Sequence, residues 1–322
     1  MSPTSISLER AILEALAYSD IFDHPLRFDE LLRYLPTRAG KENLSSALTS
    51  LDGQIGTCDE YFFLAGREET VEIRKQRLAR SENLLPHALR YGKILGALPF
   101  IRMVALTGSL AMLNISKNAD FDYMLVAAKG RVWTARAFAL ALNRVARLSG
   151  HTICPNLIVS ESALEWRLHD LYSARELVQM IPIAGMDVYR RVMEVNAWAM
   201  EILPNAGMSL RGGLTEAERS RSPTKQSPSL LRRLLRRSLR SLLATTEWCL
   251  HGKLGDKLEA WEMTRKIARF SNQPGFGEET VFNAEVCQGN FHHHRKWTRE
   301  IFEQKLSALE KEVTVTFKVT VT

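Results

Sequence analysis

The 322-residue chain carries 43 Lys and Arg against 36 Asp and Glu, a formal net charge of +7, with 45% hydrophobic and 25% charged residues. That length exceeds one small core and predicts two or three domains at ~100 to 200 residues each, and the positive excess favours polyanionic partners such as nucleotides or nucleic acid. No apolar run approaches the ~20 residues of a membrane span, and the N-terminus has no basic start leading into an apolar run, so a soluble, cytoplasmic chain is expected.

Residues 8 to 18 place apolar side chains at helical spacing, and a second helix, FDELLRYL (28 to 35), follows the Asp23-His24-Pro25 break. A third helix, KENLSSALTSLD (41 to 52), gives way to the alternating passage IGTCDEYFFLAG, whose tip at Asp59-Glu60 predicts a β-wing. Three short helices and a wing resemble a winged helix. The third helix offers Lys41 but also Glu42 and Asp52, so a protein-contacting or substrate-positioning module fits it better than a DNA reader.

The stretch 67 to 97 reads as a helical connector with Pro86 as a possible kink. Beyond it, IRMVALTG (101 to 108), DFDYMLVA (120 to 127) and TICPNLIVS (152 to 160) read as strands, with a helix over 131 to 148 between the second and third. After Ser162 the pattern turns helical; 205 to 229 reads as a linker or loop, and about 230 to 312 is again mainly helical. The closing EVTVTFKVTVT alternates like a strand and is given no role. The four cysteines, Cys58, Cys154, Cys249 and Cys287, form no Cys-x-x-Cys pair, which argues against a zinc knuckle or a disulfide framework and predicts reduced, buried thiols.

The chemistry is concentrated in VALTGSLAMLNISKNADFDYMLV, residues 104 to 126: a strand ending in Gly108-Ser109, a spacer, then Asp120 and Asp122 on the next strand. Alternate residues of a strand share a face, so the two carboxylates point the same way while Phe121 and Tyr123 point to the other. Paired carboxylates repel unless a cation lies between them, and hard divalent ions prefer that oxygen-rich setting. A glycine lets backbone approach a phosphate, and the Ser109 hydroxyl and neighbouring amides can donate to it.

This order of elements resembles the nucleotidyltransferase superfamily, related in fold to DNA polymerase beta. The resemblance covers about residues 100 to 165. It implies an α/β (α+β) fold, a mixed sheet with flanking helices. It also implies magnesium (or manganese) held by Asp120 and Asp122, and a nucleoside triphosphate bound at Gly108 and Ser109; Lys117, in the loop before the acidic pair, either reaches that triphosphate or is an exposed loop lysine. Catalytic members usually supply a third carboxylate from a later strand. The corresponding strand here presents Asn156 and reaches an acid only at Glu161, so Glu161 is the remaining candidate metal ligand, with a surface or helix-capping role as its alternative.

Other features have two readings each. Arg232, Arg233, Arg236, Arg237 and Arg240 fall along one helical face, either solvated on a bundle helix or binding an acceptor nucleic acid or an anionic membrane surface. Three consecutive imidazoles, His292-His293-His294, cannot all reach one ion and read as a polar surface segment. Tyr172, Arg175 and Glu176 on a later helix either line an acceptor pocket or pair at the surface.

The expected organisation is therefore a winged-helix-like domain at 1–66, a helical connector at 67–97, a nucleotidyltransferase-like domain at 98–204, a linker at 205–229 and a helical region at 230–322. The expected activity is magnesium-dependent transfer of a nucleoside monophosphate from an NTP to an acceptor that is a small molecule, protein or nucleic acid. The alternative is a catalytically degenerate nucleotide-binding or regulatory protein.

Overall fold

The computed structural model describes residues 6–117, 120–207 and 245–320. Helices and two sheets make a mixed α+β architecture. The arginine run from Arg232 to Arg240 lies outside the described residues, as does most of the expected linker.

The first sheet belongs to the N-terminal unit. Helix α1 (Leu8–Asp20) is capped by Ser7, whose side chain accepts from the Arg10 amide, and helices α2 (Phe28–Tyr34) and α3 (Lys41–Ser50) follow. Strands β1 (Leu26–Arg27), β2 (Ile55–Cys58) and β3 (Tyr61–Leu64) pair antiparallel in the order β1-β3-β2, turning at Asp59, whose φ is +53°. Helix α4 (Glu69–Leu95) runs through Pro86 without a break, because Leu84, Leu85, Ala88 and Leu89 hold that turn against the central core.

The second sheet has the order β7-β4-β5-β6-β9-β8. Its strands are β4 (Ile101–Leu106), β5 (Phe121–Ala127), β6 (Ile153–Ser160), β7 (Ile181–Ala184), β8 (Thr280–Phe282) and β9 (Val286–Gly289). Only β5 and β6 run parallel, joined through helix α6 (Val132–Arg147); every other pair is antiparallel. The described part of the region after residue 230 is mainly helical, as expected, but it also holds the β8–β9 hairpin, which extends the sheet beyond β6. The region between 162 and 180 is helical only over α7 (Leu171–Gln179), which Asp170 caps by accepting from the Ser173 amide.

Helices α8 (Met186–Val195), α9 (Ala199–Ile202), α10 (Lys253–Phe270) and α11 (His294–Thr320) follow, with a four-residue helix α5 (Gly108–Ala111) after β4 and a short helical stretch at 245–249 before α10. The strand-like alternation near the C-terminus falls within α11, where an established helix continues at the cost of fixing one residue per added hydrogen bond.

Strand alternation divides the core in two. Val104, Leu106, Phe121, Tyr123, Leu125 and Ile158 face α4, α6 and α10, around the fully buried Trp133. Met103, Ala105, Met124, Val126 and Val159 face the other way, where they form one continuous core with α7 to α9 and with Ile12, Leu16, Leu31 and Leu35 of the N-terminal unit. Asp120 and Asp122 have the parity of Met124 and Val126, so they open toward the side on which the N-terminal unit packs.

Candidate functional site

Gly108 follows directly from β4. Thr107 donates its amide to the Asp122 carbonyl at 2.9 Å, which carries the β4–β5 ladder one step past its last paired residues. Gly108 then turns with φ +66°, and a β-carbon built there would lie 2.6 Å from Asp122 Oδ2. Only glycine lets the backbone pass this close to the carboxylate. Ser109 sits in the first turn of α5 and accepts from the Asn114 amide through its carbonyl at 2.8 Å.

The spacer before the acidic pair is held from outside. Arg74 donates to the carbonyls of Met112 at 3.0 Å and Leu113 at 3.4 Å, Arg80 donates to the Ile115 carbonyl at 3.2 Å, and the Ile115 amide donates to Ser81 Oγ at 3.1 Å. These residues lie on successive turns of α4. The N-terminal unit contributes as well: Asn114 Nδ2 donates to the Phe22 carbonyl at 3.0 Å, and the Tyr34 hydroxyl meets Met112 Sδ at 3.0 Å. Arg74 is fully buried, pairs with Glu30 at 2.9 Å and lies 2.6 Å from His24 Nδ1. A guanidinium keeps its protons, so His24 must accept here and stays neutral; burial first, and the Arg74 charge second, push its pKa well below the ordinary value.

Asp122 retains a partial opening to solvent but is surrounded by protein, and among the described residues it has no ion pair. Burial pushes its pKa up to about 7; the charge of Asp120 adds to that, and a hydrogen bond from Cys154 opposes it. Cys154 is the cross-strand partner of Asp122 in the parallel β5–β6 ladder. Its thiol is itself raised by burial and by both aspartates, so it is a protonated donor.

Glu176, on α7, also feels Asp122. Burial is the larger cause and the Asp122 charge the second in raising its pKa to about 7. Tyr172, one turn earlier, is raised by burial first, with Glu176 and Asp122 among the lesser causes. Arg175 turns away from the acidic residues. Its guanidinium lies between the rings of Tyr34 at 4.1 Å and Tyr18 at 4.6 Å, and burial lowers its pKa to about 10. The suggested pocket trio is therefore divided: Glu176 and Tyr172 feel the Asp122 charge, whereas Arg175 locks α7 onto the N-terminal unit.

The structure separates Glu161 from the acidic pair. Asp122 pairs with Cys154 and Ala127 with Ser160, five residues farther along β5, which places Glu161 about 20 Å from Asp122 at the strand rise of about 3.3 Å. Its carboxylate instead accepts from the Lys129 amide at 3.1 Å. Asn156 is exposed at the irregularity where the β5–β6 register shifts. The residue that occupies the expected place beside Asp122 is Cys154. Lys117 is exposed in the loop before Asp120.

Among the described residues no group of three or more His, Cys, Asp or Glu side chains is close enough to form a complete metal cage. Of the histidine run, His292 and His294 are exposed, and His294 Nδ1 accepts from the Trp297 indole at 3.2 Å. The four cysteines are free, but Cys58 and Cys249 are exposed, contrary to the expectation that all would be buried. No known protein family matches this chain, and neither does any curated protein or solved structure.

Proposed function

We propose that the protein is a nucleotidyltransferase-like enzyme that transfers a nucleoside monophosphate from an NTP to an acceptor, with magnesium or manganese held at Asp120 and Asp122. The observation that carries this reading is the pair formed by Gly108 and Asp122. A left-handed glycine turn, whose backbone can approach a phosphate, is packed against a withdrawn carboxylate that has no cationic partner among the described residues.

The donor set fits a hard divalent ion, since two carboxylates on one strand face offer oxygen only, and a buried anion without counter-charge gains from one. Such an ion would neutralise phosphate charge in an in-line displacement. The chain's own contributions are local. Gly108 and Ser109 place backbone and hydroxyl donors at the phosphate, Cys154 holds the Asp122 carboxylate in orientation, and α4 fixes the spacer so that the turn and the acidic pair keep their spacing. Exposed Lys117 adds charge at the mouth. A mixed sheet with a winged-helix-like N-terminal unit belongs to the same reading.

One observation favours the alternative, a nucleotide-binding protein without turnover: Cys154 stands where a third carboxylate would be expected, and Glu161 is at the other end of the strands. The test is incubation of the protein with each α-labelled NTP and magnesium or manganese, alone and with cell extract divided into protein, RNA and small-molecule fractions. Label entering one fraction, and failing to do so with Asp120→Asn, is the expected result and names the acceptor class. Nucleotide binding that depends on Asp122 without any label transfer would select the alternative. Absence of nucleotide binding would overturn both.

A further inference from the structure

Helix α10 carries an apolar stripe that the fold leaves uncovered. Leu254, Leu258 and Trp261 recur at helical spacing and are 68%, 38% and 57% exposed, and Trp248, in the short helical stretch 245–249 that precedes α10, is 79% exposed. The opposite side of α10 is firmly packed: Glu259 accepts from the amides of Trp133 and Thr134 at 2.7 Å each, and Phe270 enters the central core. The exposure is thus a property of one face and not of a loosely held helix, and large contiguous apolar faces on soluble chains mark contact surfaces.

The exposed charges beside the stripe that lack an ion pair among the described residues are basic. On the helical wheel Lys257 and Arg269 lie about 60° to either side of Leu254, and with Lys253 they are exposed and without an ion pair among the described residues. Arg265 lies over the Trp261 ring at 4.9 Å. The acids nearby are paired: Glu247 with Arg102 at 2.7 Å, Asp256 with Arg131 at 2.7 Å, and Glu262 with Arg265 at 2.6 Å, so Arg265 is locally neutralised and Lys253, Lys257 and Arg269 carry the uncompensated charge. A second copy docking here through a two-fold axis would set like charges against each other. Nucleic acid would match the cations but leave Leu254 and Leu258 with nothing to stack on. An anionic bilayer surface matches both, with tryptophan and leucine at the headgroup boundary and lysine and arginine against lipid phosphates. No helix among the described residues is long and apolar enough to cross a membrane, so the contact would lie along the surface.

We infer that the Leu254–Trp261 face of α10, with the exposed Trp248 that precedes the helix, binds anionic lipid surfaces. The test is co-sedimentation of the full chain with vesicles of phosphatidylcholine alone and with vesicles in which about a third of the lipid is phosphatidylglycerol. Binding to the anionic vesicles only, weakened at high salt and accompanied by a blue shift of tryptophan emission, is expected. Trp248→Ser/Trp261→Ser should weaken it by about tenfold or more with an unchanged melting temperature, and Lys253→Glu/Lys257→Glu should do so without touching an apolar residue. Equal binding to both vesicle types, no binding, binding indifferent to these substitutions, or self-association abolished by the tryptophan variant would each overturn the assignment.

Discussion

Replacing Gly108 by alanine tests the geometry on which the site rests. Two separable costs are expected. Holding a non-glycine residue at φ +66° costs about 1–2 kcal/mol. A β-carbon 2.6 Å from Asp122 Oδ2 and 3.2 Å from Asp122 Cβ forces a shift in a packed region, adding about 1–3 kcal/mol. Gly130 supplies the control, because its φ is +67° and a β-carbon built there meets nothing within 4 Å. Urea denaturation followed by circular dichroism should therefore place Gly130→Ala about 1–2 kcal/mol below the parent and Gly108→Ala about 2–5 kcal/mol below it. In an Asp122→Ala background the nearest obstructing atom is gone, so the extra cost of Gly108→Ala should shrink toward that of the control. If Gly108→Ala costs no more than Gly130→Ala, or if the two substitutions at 108 and 122 are simply additive, the turn is not packed on the carboxylate as argued.

Other outcomes follow from the same contacts. Glu259→Ala removes the acceptor for two buried amides of α6 and for the Thr134 hydroxyl at 2.6 Å, and should cost about 3–5 kcal/mol in urea or thermal denaturation, with Glu259→Gln milder. His24 is neutral when folded and its folded pKa is depressed, so it stabilises the fold fully above its unfolded value near 6.5. Between that value and the lower folded one, stability should fall by about 1.4 kcal/mol for each pH unit. His24→Gln should flatten that slope in denaturation measured at successive pH values, and an unchanged slope would remove His24 as its source. In the label-transfer assay Glu161→Gln, on the Lys129 amide at the far end of the strands, should leave transfer unchanged.

The sequence made some elements legible and concealed others for identifiable reasons. Apolar periodicity locates α1, α2, α6 and the strands β4 to β6 within a residue or two, since each buries one face or is covered on both. Strand parity likewise puts Asp120 and Asp122 on a common face. The β8–β9 hairpin escapes because its three- and four-residue strands are too short for alternation to register, and their pairing with β6 spans more than 120 residues of chain. Glu161 is the first acid the third strand offers, but position in sequence does not give the parallel register that sets it at the far end of β5 from Asp122. Cys154 went unnoticed because a cysteine carries no acidic signal, although the parallel register sets it beside Asp122. The arginines at 74, 77 and 80 recur on one face of α4, a pattern that composition reads as solvated charge; their targets are carbonyls of remote loops, which only the fold brings near.

That arginine face explains why an N-terminal unit without an evident basic reading helix is joined so firmly to the sheet. Arg74 ties Glu30 and His24 to the carbonyls of Met112 and Leu113, and Arg77 ties the Phe22 carbonyl and Asp23 to the same helix. Arg175 adds a buried cation between Tyr18 and Tyr34 from the other side of the site. Each contact engages a charge taken out of water, which is costly unless its hydrogen bonds are made. The spacer leading to Asp120 is thus set by the N-terminal unit as much as by the strands it joins. In physical terms the N-terminal unit is part of the candidate site's frame, and a chain lacking it would leave Arg74 without Glu30 and His24 and Asn114 without the Phe22 carbonyl.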